Sequence, residues 1–154
     1  MTANAQVPNR MIPVIAGFII QLCLGTVYIW GVFQPHVVAQ FDWNQATAAL
    51  TFSVLLGVFV IGAAFGGMLQ DKYGPRNVII VGGIILGIGW FLSSFTTADK
   101  PWWLWLTFGL IGGGGMGMTY PTIIAVSQKW YPDKRGLISG LIVFGLGFGG
   151  FIFT

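Results

Sequence analysis

Apolar residues do not alternate with polar ones along this chain; they run together in five long stretches separated by short polar breaks. The runs cover about residues 12–38, 46–69, 78–95, 102–127 and 137–154, each of the length that carries a helix across a bilayer. The breaks hold the turn formers. Asp42 and Gln45 have capping-box spacing ahead of the second run. Gly74 and Pro75 supply a tight turn after it, with Asp71, Lys72 and Arg76 keeping that turn in water. Pro101 suits the first turn of the fourth run. Trp43, Trp102, Trp103 and Trp105 stand where aromatic residues favour the membrane–water interface. The pattern predicts an all-α fold, a polytopic transmembrane helical bundle of five spans.

Composition agrees. With 55% hydrophobic and 7% charged residues, the chain lies far from a soluble domain, where about a quarter of residues are charged. The net charge of +3 is spread over loops rather than one face, so nucleic acid is not an expected partner. The lone Cys23 excludes an internal disulfide framework, and no cluster of metal-ligating residues or cofactor motif is present. The run after Arg10 is too long for a signal peptide and lacks a small-residue cleavage pattern, so it is expected to remain as a membrane helix.

The basic residues orient the bundle. In an alternating five-span arrangement, Arg10, Lys72, Arg76, Lys129, Lys134 and Arg135 fall on one side and only Lys100 on the other. That asymmetry places the N-terminus in the cytoplasm and the protein in the cytoplasmic membrane. Five is an odd number of spans, and the last run stops at Phe151-Ile152-Phe153-Thr154 with no polar anchor. Residues 1–154 are therefore expected to be an incomplete N-terminal transmembrane half of a longer chain.

Glycine is abundant, with 24 residues, and recurs as Gly-x-x-x-Gly at Gly62/Gly66, Gly83/Gly87, Gly113/Gly117, Gly136/Gly140 and Gly145/Gly149. In lipid such pairs let helix backbones approach closely; sliding contacts would use the same feature. The run Gly112-Gly113-Gly114-Gly115 is not a phosphate loop, because no Lys-Ser/Thr pair follows it.

No Asp, Glu, Lys, Arg or His occupies the middle of a run, which argues against an intramembrane enzyme, since acid–base chemistry needs a titratable group in place. His36, near the outer end of the first run, is an interface residue or has a role in entry or proton sensing. Two tyrosines lie at membrane depth: Tyr28, about 5 Å outward of the first run's middle, and Tyr120, beside the helix-disrupting Pro121. A buried phenol needs a partner. A neighbouring helix or a small anion's carboxylate would each serve. Gln21, Trp30, Thr51, Ser53 and Thr119 are weaker candidates of the same kind.

The first charged turn, Gly67-x-x-x-Asp71-Lys72-x-Gly74-x-Arg76, resembles the signature loop between the second and third helices of the major facilitator superfamily. That resemblance implies a gate: the glycine allows two helices to cross, and Asp71 pairs with basic residues near a helix N-terminus to hold one side shut. Pro75 stands where a basic residue is usual. Gly25-Thr26-Val27-Tyr28-Ile29-Trp30 and Lys129-Trp130-Tyr131-Pro132-Asp133-Lys134-Arg135-Gly136 are similar to stretches of the oxalate/formate antiporter group, which includes bacterial monocarboxylate carriers. The likeness covers the whole chain but only five of that family's twelve helices. It implies alternating access around a central site between two six-helix halves, with Tyr28 and Tyr120 as substrate-binding tyrosines. Cationic substrate ligands would lie in the absent C-terminal half. Val27 replaces a glutamine of the oxalate carriers, which favours a monocarboxylate with an apolar end. Gly145-Leu146-Gly147-Phe148-Gly149-Gly150 only partly matches an antiporter motif, since Leu146 replaces its proline, and antiport is not inferred.

The expectation is thus a secondary transporter of a small monocarboxylate such as lactate, pyruvate or formate, with a proton as candidate coupled ion. Its partners would be the substrate, the bilayer and the remaining half of the transporter. The alternatives are an oxalate/formate-type exchanger and a non-transporting membrane assembly or receptor module.

Overall fold

A computed structural model describes residues 10–153. They form helices throughout, with no strand among the described residues. The first span is helical from α1 (Met11–Leu24) through a tighter 3₁₀ stretch (Gly25–Ile29) into α2 (Trp30–Phe41). The second is the single helix α3 (Gln45–Tyr73) and the third is α4 (Pro75–Ser93). The fourth begins as α5 (Pro101–Leu104), widens into a π-helix (Trp105–Gly112) and narrows again into α6 (Gly113–Trp130). After a short 3₁₀ turn (Pro132–Lys134), α7 runs over Arg135–Ile152. Four segments are long and apolar enough to cross a membrane: Met11–Phe41, Gln45–Tyr73, Pro75–Ser93 and Pro132–Ile152. The fourth expected crossing is helical over 101–130, but its π stretch divides it.

Local chemistry departs from the expected pattern at the break after α2. The cap of α3 is Asn44, whose Oδ1 accepts from the Ala46 N–H at 3.0 Å, rather than Asp42 with Gln45. Asp42 instead takes the left-handed conformation that ends α2, with φ 53°, a role its short polar side chain tolerates. Trp43 stacks on Phe41 at 5.0 Å and donates its indole N–H to the Ala98 carbonyl at 2.8 Å. Trp103 and Trp105 do likewise, to the Leu92 and Thr47 carbonyls, each at 3.0 Å. These rings therefore tie helix ends together as well as suiting an interface.

Glycine decides which faces meet. α6 packs between α3 and α4, and α7 packs on α1. A Cβ on Gly62 would stand 2.7 Å from the Gly114 carbonyl oxygen, and one on Gly113 would stand 2.6 Å from that of Leu55. On the other side, a Cβ on Gly115 would lie 2.6 Å from both the Gly82 carbonyl oxygen and the Leu86 nitrogen. Gly145 fits against Phe18 and Gly149 against the Leu22 carbonyl, joining α7 to α1. Three of the five Gly-x-x-x-Gly pairs are thus packing surfaces. Gly83/Gly87 and Gly136/Gly140 meet nothing within 4 Å among the described residues, because helix phase turns Gly82 and Gly89 inward on α4 instead. The quadruple glycine sits inside this crossing, in keeping with its not being a phosphate loop.

The core between these helices is built from Leu24, Val27, Leu55, Met116, Ile142 and Leu146, among others. The opposite faces are equally apolar: Ile12, Ile15 and Ile19 on α1, Val60 and Ile61 on α3, and Ile84 and Phe91 on α4 are exposed. Apolar residues on both sides of a helix make a structure suited to lipid.

Candidate substrate site

Gly25 brings the first span against α7 so closely that its Cα faces the Leu146 carbonyl with no room for a side chain. There the helix tightens to 3₁₀, with Thr26 Oγ1 donating to the Cys23 carbonyl at 2.7 Å. Tyr28 lies in that tightened stretch, about half exposed. Tyr120 projects from α6 immediately before Pro121, whose missing N–H leaves the Gly117 carbonyl without its helical donor. Gln21 Nε2 donates to the Tyr120 carbonyl at 3.4 Å, and the Phe59 ring meets the Tyr120 ring edge-on, with centroids 5.6 Å apart at 62°. Backbone and ring of Tyr120 are thus held from two helices.

The two tyrosines, far apart in sequence, line one cavity of about 190 Å³. Its other walls are Val27 of the first span, Phe52, Leu55, Leu56 and Phe59 of α3, Met116 of α6 and Leu146 of α7. Neither tyrosine hydroxyl donates to any described residue, so both can donate to an acceptor that enters. The cavity offers two neutral donors on an otherwise apolar surface. This combination suits a small molecule with one polar, hydrogen-bond-accepting end.

The weaker polar candidates have other employment. Thr119 Oγ1 donates to the Gly115 carbonyl at 2.8 Å and Ser53 Oγ to that of Ala49 at 3.3 Å, both within their own helices. Gln21 bridges α1 and α6. The Thr51 hydroxyl and Trp30 indole nitrogen are buried without a partner, but neither residue lines this cavity. His36 is exposed, its Nδ1 2.9 Å from the Val32 carbonyl one turn back. The apolar walls Phe52, Phe59, Met116 and Leu146 carried no signal separating them from other apolar residues, since a membrane helix is apolar on every face.

The charged turn is shorter than its sequence suggests. α3 ends at Tyr73 and α4 starts at Pro75, leaving Gly74 alone between them with φ 83° and ψ 152°. That conformation is the one for which glycine is needed. Gly74 N–H donates to the Gln70 carbonyl at 3.0 Å, and Asn77 Nδ2 donates to that of Tyr73 at 2.9 Å, satisfying the end of α3. Asp71, Lys72 and Arg76 are exposed, and Lys72 Nζ lies 5.2 Å from the Tyr73 ring centroid. No carboxylate–cation pair involves Asp71 among the described residues. Nothing within the described residues lies within 4 Å of a Cβ on Gly67; the close crossing of α3 with α6 falls on Gly66, 2.7 Å from the Met118 Cα on the same measure. Helix phase explains the offset, since Gly62 and Gly66 share one face and Gly67 is turned about 100° from it. The second charged loop is anchored by Tyr131 Oη to Met11 Sδ at 3.1 Å and by Gln128 Nε2 to Ser139 Oγ at 2.7 Å.

A multi-pass helical membrane protein, with a small apolar cavity where its helices converge, is the class these features define. Residues 14–154 match the model of the Major Facilitator Superfamily, and the chain belongs to that family. It is 33% identical to an uncharacterized MFS-type transporter, YhjX, of Escherichia coli, over 99% of this chain and 38% of that protein. It is 32% identical to monocarboxylate transporter 13 of Rattus norvegicus, over 94% of this chain and 33% of that protein. An oxalate:formate antiporter of Oxalobacter formigenes is 26% identical over 88% of this chain and 32% of that protein. The chain thus spans about a third of the length of the curated relatives it matches.

Proposed function

We propose that the protein to which this chain belongs is a secondary transporter that moves a small monocarboxylate across the cytoplasmic membrane by alternating access. The observation that carries this reading is the cavity shared by Tyr28 and Tyr120: two phenol donors for one carboxylate, and apolar walls for the rest of the molecule. Names among the relatives, a monocarboxylate transporter and an oxalate:formate antiporter, favour the same substrate class. A single polar end points to lactate, pyruvate or formate rather than a dicarboxylate, because a second carboxylate would have to desolvate against Phe52, Phe59 and Met116. The cation that neutralises the substrate would come from the remaining part of the protein. The Asp71 turn would gate one side, and the basic residues beside it would place that side and the N-terminus in the cytoplasm.

Uptake of labelled lactate and oxalate by the complete protein in proteoliposomes tests this. Saturable lactate uptake, increased by an inward proton gradient, is expected. Exclusive oxalate transport would leave the exchanger reading, and no flux of either would leave a non-transporting assembly.

A further inference from the structure

The shared cavity carries two phenols and is otherwise lined by carbon, and its walls differ in their freedom to move. Leu55 is 1% exposed and Met116 5% exposed, so both are packed into the bundle and cannot retract to admit more substrate. Phe59 is different. It is only half-buried, it lines the cavity, and its ring stands edge-on to the Tyr120 ring at 5.6 Å. It is therefore a bulky side chain between the packed core and the open space, beside a phenol that would hold the carboxylate.

We infer that Phe59 is a specificity-determining residue that limits the length of the substrate's carbon chain. This rests on the monocarboxylate reading above and deepens it. With the carboxylate fixed at Tyr28 and Tyr120, the carbon chain has to lie along the apolar wall. Within a cavity of about 190 Å³, the Phe59 ring takes the volume that further methylenes would need. Removing the ring opens that volume without removing either hydroxyl, and replacing it with a larger ring closes it further. A single methylene in an apolar pocket is worth about tenfold or more in specificity, so the effect falls within easy reach of a transport assay.

The test compares lactate with 2-hydroxyhexanoate, using the complete protein in proteoliposomes and reading the ratio of kcat/KM for the longer acid over the shorter. Phe59→Ala is expected to raise that ratio at least about tenfold, Phe59→Leu to raise it less, and Phe59→Trp to lower it. Phe65→Ala, the same truncation at an exposed position of α3 outside the cavity, is expected to leave the ratio at the wild-type value. Phe59→Leu keeps enough bulk to report on specificity if the alanine variant is poorly folded. Lactate uptake that persists with an unchanged ratio in the Phe59 variants overturns the inference while sparing the carboxylate reading. An equal shift in Phe65→Ala overturns it too, as a nonspecific effect. Wild-type protein that carries neither acid defeats the carboxylate reading and the inference together.

Discussion

Tyr120 is held by its backbone and by its ring, and its hydroxyl is left to do something else. Gln21 reaches its carbonyl from α1 and Phe59 braces its ring from α3, so loss of the hydroxyl alone disturbs neither support. Tyr120→Phe is therefore expected to weaken substrate binding while leaving the protein folded. A hydrogen bond to a charged acceptor contributes about 1.5–3 kcal/mol, which predicts a rise in Kd of about tenfold to a hundredfold. Binding measured by substrate protection against thermal unfolding, with the unliganded Tm as control, checks both halves. Sequence alone singled out this residue and Tyr28 because phenols are scarce at membrane depth. It could not show that they share a cavity, which depends on the 3₁₀ tightening at Gly25–Ile29 and on the Gly25–Leu146 approach.

At the scale of helices, the same glycine spacing has opposite consequences depending on phase. Gly115 touches α4 backbone, whereas Gly87 faces open space. Gly115→Val should therefore destabilise the complete protein by about 3 kcal/mol, at the upper end of overpacking costs, while Gly87→Val should be nearly silent. Fluorescence-detected size-exclusion after a heat ramp would separate the two, and equal losses would contradict the packing described. The sequence marked the helices and their breaks because hydrocarbon length and turn chemistry are read directly from residue type. It left helix rotation undetermined, since Ile84, which is exposed, and Leu86, which is buried toward α6, are chemically alike. The π stretch at Trp105–Gly112 escaped for a related reason, since it is tied to α3 through Trp105 and the Thr47 carbonyl. Asn44 and Asp42 are both good capping residues, and the choice between them follows from the left-handed backbone at Asp42, which leaves Asn44 beside the Ala46 N–H.

For the molecule as a whole, the cavity and the charged turn occupy different places and can be separated by kinetics. The tyrosines line the cavity proposed to take substrate; Asp71 lies at the end of α3 and is exposed. If the turn gates one side, Asp71→Asn in the complete protein should slow turnover several-fold while the substrate Kd stays within about twofold of wild type, since Asp71 is exposed and lies outside the walls of the tyrosine cavity. Paired measurements of kcat and Kd decide it. A change in Kd alone would assign Asp71 to binding.

The linker between α3 and α4 is a single residue, and consecutive Cα atoms are about 3.8 Å apart. With no slack to take up, the lower ends of these two helices form a bent crank rather than two rods on a string. Gly62 and Gly66 grip α6 from one arm of it, and Gly82 and Gly89 hold the same span from the other. A push on the corner at Gly74 thus reaches the span bearing Tyr120 along both arms at once, as torque rather than as slack drawn tight.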